Sequence, residues 1–262
     1  MGATMVLEEE FEEKYADKNL FTENEKLKLL APISSTPFQV DFSLPVVKLA
    51  QGDGFSVALT AEGKVYTWGS NMYGQLGINR PDVHVQLRPD PAAPLVFKDE
   101  AFPEKRVNII DIACCMNGVV ALTDENKVFV WGRRMGKYAS VDELTLAYVE
   151  KRGQLYNCEV NQSRPRQVGD NLNFHKVVKV FASSFNVALV TDKGELLLHG
   201  WNDFGQMNFP KEISEHLKFF PDFMKIDALK DFRVQEVAIG RFTIHVLCSD
   251  GSVFGWGANT HG

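Results

Sequence analysis

Apolar residues along this chain come in short paired runs, each pair split by a tight turn. Val57-Ala58-Leu59 precedes Gly63, and Val65-Tyr66 follows it into Trp68-Gly69. Two β-prone runs around a glycine turn predict a hairpin. The pattern returns as Ala121-Leu122-Thr123, Asn126, Val128-Phe129, then as Leu189-Val190-Thr191, Gly194, Leu196-Leu197, and then as Val246-Leu247-Cys248, Gly251, Val253-Phe254. Asn126 is the expected stand-in for Gly63, because Asn is the side chain that best tolerates a left-handed turn. Each second run ends in a ring-glycine pair: Trp68-Gly69, Trp131-Gly132, His199-Gly200 and Trp256-Gly257. The ring positions fall at 68, 131, 199 and 256, steps of 63, 68 and 57 residues. A period of this length in β-patterned sequence predicts an array of sheets such as a propeller.

The loops after the hairpins make the pattern more specific. Leu49-Ala50-Gln51-Gly52, Ala58-Leu59-Thr60, Gly63 through Asn71 and Gly74-Gln75-Leu76-Gly77 together resemble one full repeat of the regulator of chromosome condensation family. Val237-Ala238-Ile239-Gly240 through Gly251, Trp256-Gly257-Ala258-Asn259 and Gly262 resemble a second. The middle repeats depart from it. Repeat two has Arg133-Arg134 in place of Ser-Asn and Gly136-Lys137-Tyr138 in place of Gly-Gln-Leu. Repeat three has His199 for Trp but keeps Gly200, Asn202, Gly205 and Gln206. The resemblance implies an all-β fold, a β-propeller of four-stranded antiparallel blades, seven in typical members. About four repeats are expected here, near 37–77, 94–138, 165–207 and 221–262, with inserted loops 78–108, 139–162 and 208–233. Gly262 aligns with Gly74, inside the motif. The remaining blades are therefore expected from more of the same chain, with another subunit or closure of the four blades alone as the alternatives.

Residues 1–36 have a different character. Glu8-Glu9-Glu10-Phe11-Glu12-Glu13 is acidic and helix-prone, and Thr22-Glu23-Asn24-Glu25 before Lys26-Leu27-Lys28-Leu29-Leu30 is a capping-box pattern. This predicts an acidic, partly helical arm followed by a linker. Phe38, Val40 and Phe42 alternate as an outer strand would. The insertion 78–108 carries Pro81, Pro89, Pro91, Pro94 and Pro103 and reads as surface loop. The insertion 139–162 reads either as a hairpin turning at Arg152-Gly153 or as a helix from Asp142. Glu212 to Phe220 reads as a short helix stopped by Pro221.

Composition narrows the function classes. The net charge of −6 argues against nucleic acid and anionic membranes as partners. No apolar run approaches the ~20 residues of a membrane span. Cys114, Cys115, Cys158 and Cys248 form no regular framework, and no signal-peptide pattern opens the chain, so cytosol or nucleus is expected. The six histidines are scattered without ligand spacing, which predicts no metal, no cofactor and no catalytic set. His199 and His245 align with core positions and are expected to pack there. Asp53, Met116, Ser184 and Arg241 occupy equivalent turns with unlike chemistry, which argues against one repeated ligand site.

The expected function is therefore non-catalytic: a rigid scaffold whose loops bind a protein partner or a larger assembly. Arg133, Arg134, Lys151 and Arg152 are the candidate partner-binding residues. Gly63, Trp68, Gly69, Gly74, Trp131, Gly132, Gly194, Gly200, Gly205, Gly251, Trp256 and Gly257 are the expected structural repeat positions. The family's founding member implies an alternative, guanine-nucleotide exchange on a small GTPase. A second alternative is the propeller module of a larger enzyme such as a ubiquitin ligase.

Overall fold

The computed structural model describes residues 40, 42–99, 101–133, 161–168, 172, 175–208 and 219–258. The chain divides into a unit Met1–Phe42, of which only Val40 and Phe42 are described, and a unit Ser43–Gly262. The expected N-terminal helices and residues 139–160 of the hairpin-or-helix expected at 139–162 lie outside the described residues.

The second unit is built of four antiparallel sheets in chain order. Sheet 1 holds β1 (Val46–Gln51), β2 (Phe55–Thr60), β3 (Val65–Ser70) and β4 (Val85–Gln86). Sheet 2 holds β5 (Ile109–Cys115), β6 (Gly118–Thr123), β7 (Val128–Gly132) and β8 (Gln162–Gln167). Sheet 3 holds β9 (Val177–Ser183), β10 (Asn186–Thr191), β11 (Leu196–Trp201) and β12 (Phe219–Lys225). Sheet 4 holds β13 (Val234–Ile239), β14 (Thr243–Cys248) and β15 (Val253–Gly257).

The repeated hairpins are the middle strands of these sheets, and their turns are left-handed, with φ of 72° at Gly63, 64° at Asn126, 77° at Gly194 and 87° at Gly251. The glycine of each ring-glycine pair answers a different constraint. A Cβ at Gly69 would lie 2.3 Å from the Gly54 carbonyl oxygen, and one at Gly132 would lie 2.4 Å from that of Asn117. The backbone of the preceding turn thus occupies the space a side chain would need.

The outer strands sit elsewhere than expected. Val40 and Phe42 belong to no strand, and the edge of sheet 1 is filled instead by β4, from within the proline-rich stretch 78–108. Phe219 and Phe220, expected in a helix, open β12. Pro165 lies in β8 and Pro221 in β12. Both strands are the outermost of their sheets, where a missing N–H costs no ladder bond.

The sheets pack face to face, and the same register positions meet at each seam. Val57, Leu59 and Val65 of sheet 1 pack on Ile112, Ala121, Phe129 and Trp131 of sheet 2. Val120, Leu122 and Val128 pack on Val180, Val187, Leu189 and Leu197 of sheet 3. Ala188, Val190, Leu196 and Leu198 pack on Val237, Ile244 and Val246 of sheet 4. Because β6 and β10 are covered on both faces, they are buried along their whole length and read as continuous apolar runs. Burying each Val or Leu there contributes about 1.5–3 kcal/mol.

Polar contacts fix the register between sheets. The Ile109 N–H donates to the Gly63 carbonyl (3.2 Å), Asn126 Nδ2 to that of Val177 (3.0 Å), and the Val234 N–H to that of Gly194 (2.9 Å). Each hairpin turn therefore holds the first strand of the following sheet. Lys48, Asp111, Lys179 and Glu236 share one register position, opposite Leu59, Leu122, Val190 and Leu247. They pair across seams as Lys48–Asp111 and Lys179–Glu236.

Candidate functional site

The turns between the first two strands of sheets 1, 2 and 3 gather on one face of the unit. The Asp53 N–H donates to the Met116 carbonyl (2.6 Å), and the Met116 N–H to that of Ser184 (2.7 Å). Rings from sheets 3 and 4 collect beside them. Phe185 lies edge-on to Trp201 at 5.9 Å and stacks on Phe242 at 6.3 Å, and Phe204 meets Phe242 at 4.5 Å. Two guanidiniums cap rings here: Arg241 lies 5.0 Å from the Phe242 ring and Arg133 lies 4.5 Å from that of Tyr73. Met72 and Phe204 are exposed on the same loops. The result is a band of aromatic, Met and Arg side chains mounted on rigid strand ends.

Of the candidate partner-binding residues, Arg133 lies on this face, with its N–H donating to the Asn117 carbonyl at 2.8 Å. Arg134, Lys151 and Arg152 lie outside the described residues. Arg133 also borders a cavity of about 80 Å³ between sheets 2 and 3, lined further by Asn117, Ser184, His199, Trp201 and Phe219.

That cavity sits at the seam where the residues of a repeated fastening change. After sheet 1, Asn71 Oδ1 accepts the Leu76 N–H (3.0 Å) and Gln75 Oε1 accepts the Tyr73 N–H (2.7 Å). The loop so shaped presents the Gln75 carbonyl, which receives Trp131 Nε1 from sheet 2 at 3.0 Å. After sheet 3, Asn202 and Gln206 repeat these bonds to Met207 and Phe204, and the Gln206 carbonyl receives Trp256 Nε1 at 2.6 Å. Between sheets 2 and 3 both halves differ in sequence. Lys137, which has no acceptor, replaces the Gln, and His199 replaces the Trp. His199 is buried instead against Phe219 (5.4 Å) and Phe223 (5.3 Å). The change of the Gln and the change of the Trp thus fall on the two sides of one seam. One polar atom is left over: Asn202 Nδ2 is buried without a hydrogen-bond partner among the described residues, whereas Asn71 Nδ2 donates to the Val83 and Arg80 carbonyls.

The remaining candidate chemistry is packing. Cys114 faces the seam of sheets 1 and 2, and Cys115 the seam of sheets 2 and 3. Burial pushes the Cys115 thiol up to about 11 and raises that of Cys114, so both stay protonated and unreactive. Among the described residues no three His, Cys, Asp or Glu side chains gather as a metal site requires. No helix among them is long and apolar enough to cross a membrane. His245, expected in the core, is exposed, because its face of sheet 4 has no sheet packed on it among the described residues.

Models of the "Regulator of chromosome condensation (RCC1) repeat" match residues 46–75 and 62–122. The chain is 28% identical over 214 residues to an RCC1 repeat-containing protein of Dictyostelium discoideum, covering 82% of this chain and 40% of that one. It is 33% identical over 224 residues to the E3 ubiquitin-protein ligase HERC2 of Mus musculus, covering 84% of this chain but 4% of the ligase. Among solved structures, Prp20p of Saccharomyces cerevisiae superposes with a TM-score of 0.61 at 22% identity, over 85% of this chain and 48% of that one. The chain thus spans less than half the length of each. With repeated hairpins, ring-glycine pairs and matching sheets in one register, the chain belongs to the regulator of chromosome condensation repeat family, and its sheets are blades of that family's β-propeller.

Proposed function

We propose that this chain is a non-catalytic interaction platform that binds a protein partner through the face carrying Arg133, Arg241, Tyr73, Phe204 and Trp201. The observation that carries this reading is the band of rings and guanidiniums on rigid strand ends. Trp, Tyr and Arg are enriched among the residues that dominate the energetics of protein interfaces. Arg134, Lys151 and Arg152 are further candidate partner-binding residues in the proposal. Prp20p has binding properties to Gsp1p and to histones, which supports protein partners for such a propeller in general. HERC2 is an E3 ubiquitin-protein ligase, which keeps the module-of-an-enzyme alternative in view. The buried free thiols Cys114, Cys115 and Cys248 support a reducing compartment, cytosol or nucleus. The uncovered face of sheet 4, with Leu247 and Val253 exposed, takes a further sheet in this reading, from the same protein or from another subunit.

Affinity capture from cell extract tests the reading, with the wild type beside the variant Arg133→Ala/Phe204→Ala/Arg241→Ala. Loss of the wild type's captured proteins, with the thermal midpoint unchanged, supports the face. Retention of the same set overturns it. A nucleotide-release assay on a panel of small GTPases tests the exchange alternative, which gains if the wild type accelerates release and the triple variant does not.

A further inference from the structure

A second surface lies away from that face, at the outer rim of sheets 1 and 2. The segment 93–98 runs along the edge of sheet 1, where the Leu95 N–H donates to the Val65 carbonyl at 2.8 Å. Phe97 anchors it by packing edge-on against Phe129 (5.3 Å) and Trp131 (5.7 Å). Opposite runs β8, the outermost strand of sheet 2. An open groove of about 650 Å³ separates the two. Its walls include Ile78, Leu95, Val96 and Pro165. Val96 is 69% exposed and leaves an apolar surface open in the groove.

The charged groups described along the groove carry one sign. Lys98, Arg164 and Arg166 line it, and among the described residues no Asp or Glu does. Lys98 and Arg164 are exposed and have no ion-pair partner among the described residues. This happens on a chain whose net charge is −6. An apolar floor flanked by Lys98 and Arg164 is complementary to an occupant that is apolar on one side and acidic at its edges. Its volume falls within the ~300–1,000 Å³ typical of ligand sites, yet its open, linear form between two edge segments suits a chain more than a compact molecule.

We propose that this groove docks an extended acidic segment of a partner protein, with an apolar side chain seated against Val96 and Leu95 and carboxylates on Lys98 and Arg164. Pro94 and Pro165 supply no backbone N–H, so side chains rather than a continued ladder carry the recognition. The inference goes beyond the interaction reading and stands or falls separately, because it uses no residue of the ring-and-guanidinium face.

The test is fluorescence anisotropy with a labelled peptide of alternating Glu and Val. The controls are the Lys/Val and Glu/Gly counterparts and a single-stranded oligonucleotide. The Glu/Val peptide should bind the wild type, weaken with added salt, and bind at least about tenfold more weakly to Lys98→Glu/Arg164→Glu. Val96→Ser should weaken it as well. All the exchanged side chains are at the surface, so the thermal midpoints should match the wild type. Three results overturn the proposal: no saturable binding of the Glu/Val peptide, equal binding to the charge-reversed variant, or tighter binding of the oligonucleotide than of the peptide. Equal binding of the Lys/Val peptide also overturns it, by leaving the cations no part.

Discussion

Val128 and Val253 hold the same place in sheets 2 and 4, first in the second strand of the hairpin, yet Val128 is 1% exposed and Val253 is 66%. Their neighbours on the same face divide in the same way: Leu122 is fully buried and Leu247 is 38% exposed. The local sequence is alike, the turn is alike and the strand pairing is alike. The difference lies in what stands opposite. Sheet 3 covers Val128 and Leu122, and no described sheet covers Val253 and Leu247. In this architecture a hairpin specifies its own shape, while its burial energy belongs to the seam with the next sheet.

That contrast can be broken by substitution. The largest effect is expected for Trp131→Ala, which empties a fully buried site and removes the bond to the Gln75 carbonyl. It should cost about 3–5 kcal/mol in urea unfolding. Leu122→Ala should cost about 2–5 kcal/mol, whereas Leu247→Ala should stay within about 0.5 kcal/mol. Equal costs for the two would show that sheet 4 is covered on that face in solution.

The turns sharpen the comparison. A methyl at Gly63 would lie 1.7 Å from Asn108 Oδ1 and 3.1 Å from the Ile109 carbonyl, whereas one at Gly251 meets nothing within 4 Å. Both positions have positive φ. Gly251→Ala should therefore show only the left-handed penalty of about 1–2 kcal/mol, and Gly63→Ala distinctly more, by the same unfolding measurement.

The smallest effect is a pH dependence. Glu195 in the turn of sheet 3 bonds Lys225 (2.7 Å) and His175 (3.0 Å); its equivalent in sheet 4 is Ser252. The Lys225 ammonium first, and His175 after it, hold the Glu195 carboxyl down at about 2, against an ordinary value of 4.5. A lowered folded-state value means that the stabilisation is present above about pH 4.5 and is lost as the pH falls toward 2. Glu195→Gln should thus lower the thermal midpoint at neutral pH by a small amount and flatten its fall across that acid window. An unchanged acid limb would show that the ion pairs contribute nothing.

How much of this was legible in the chain follows from range. The hairpins were, because strand, turn and ring-glycine pair lie within about a dozen residues, and Asn126 could be aligned with the glycines by its conformational tolerance alone. The outer strands β4, β8 and β12 were not. Each touches one neighbour only, so its apolar pattern is weak, and Pro165 and Pro221 argue locally against a strand. His245 was misplaced because alignment with Val57 transfers a residue's register but not its covering. Arg133 stood out as a departure from the motif. Arg241, Phe242 and Phe204 did not, because repeats far apart in sequence bring them together. The fastening of one loop by the next sheet's Trp did leave a signal: repeat two lacks the Gln at 137, and repeat three lacks the Trp at 199.

The charges at the shared position of β1, β5, β9 and β13 alternate: Lys48, Asp111, Lys179, Glu236. Each pair is partly exposed and weak by itself. The sequence of signs nevertheless gives the stack a parity. Cutting out sheet 2 alone and rejoining the chain would bring Lys48 beside Lys179, two ammoniums in place of an attraction. Cutting out sheets 2 and 3 together would set Lys48 against Glu236 and keep every sign matched, so a shortened version should tolerate removal of blades in twos better than singly.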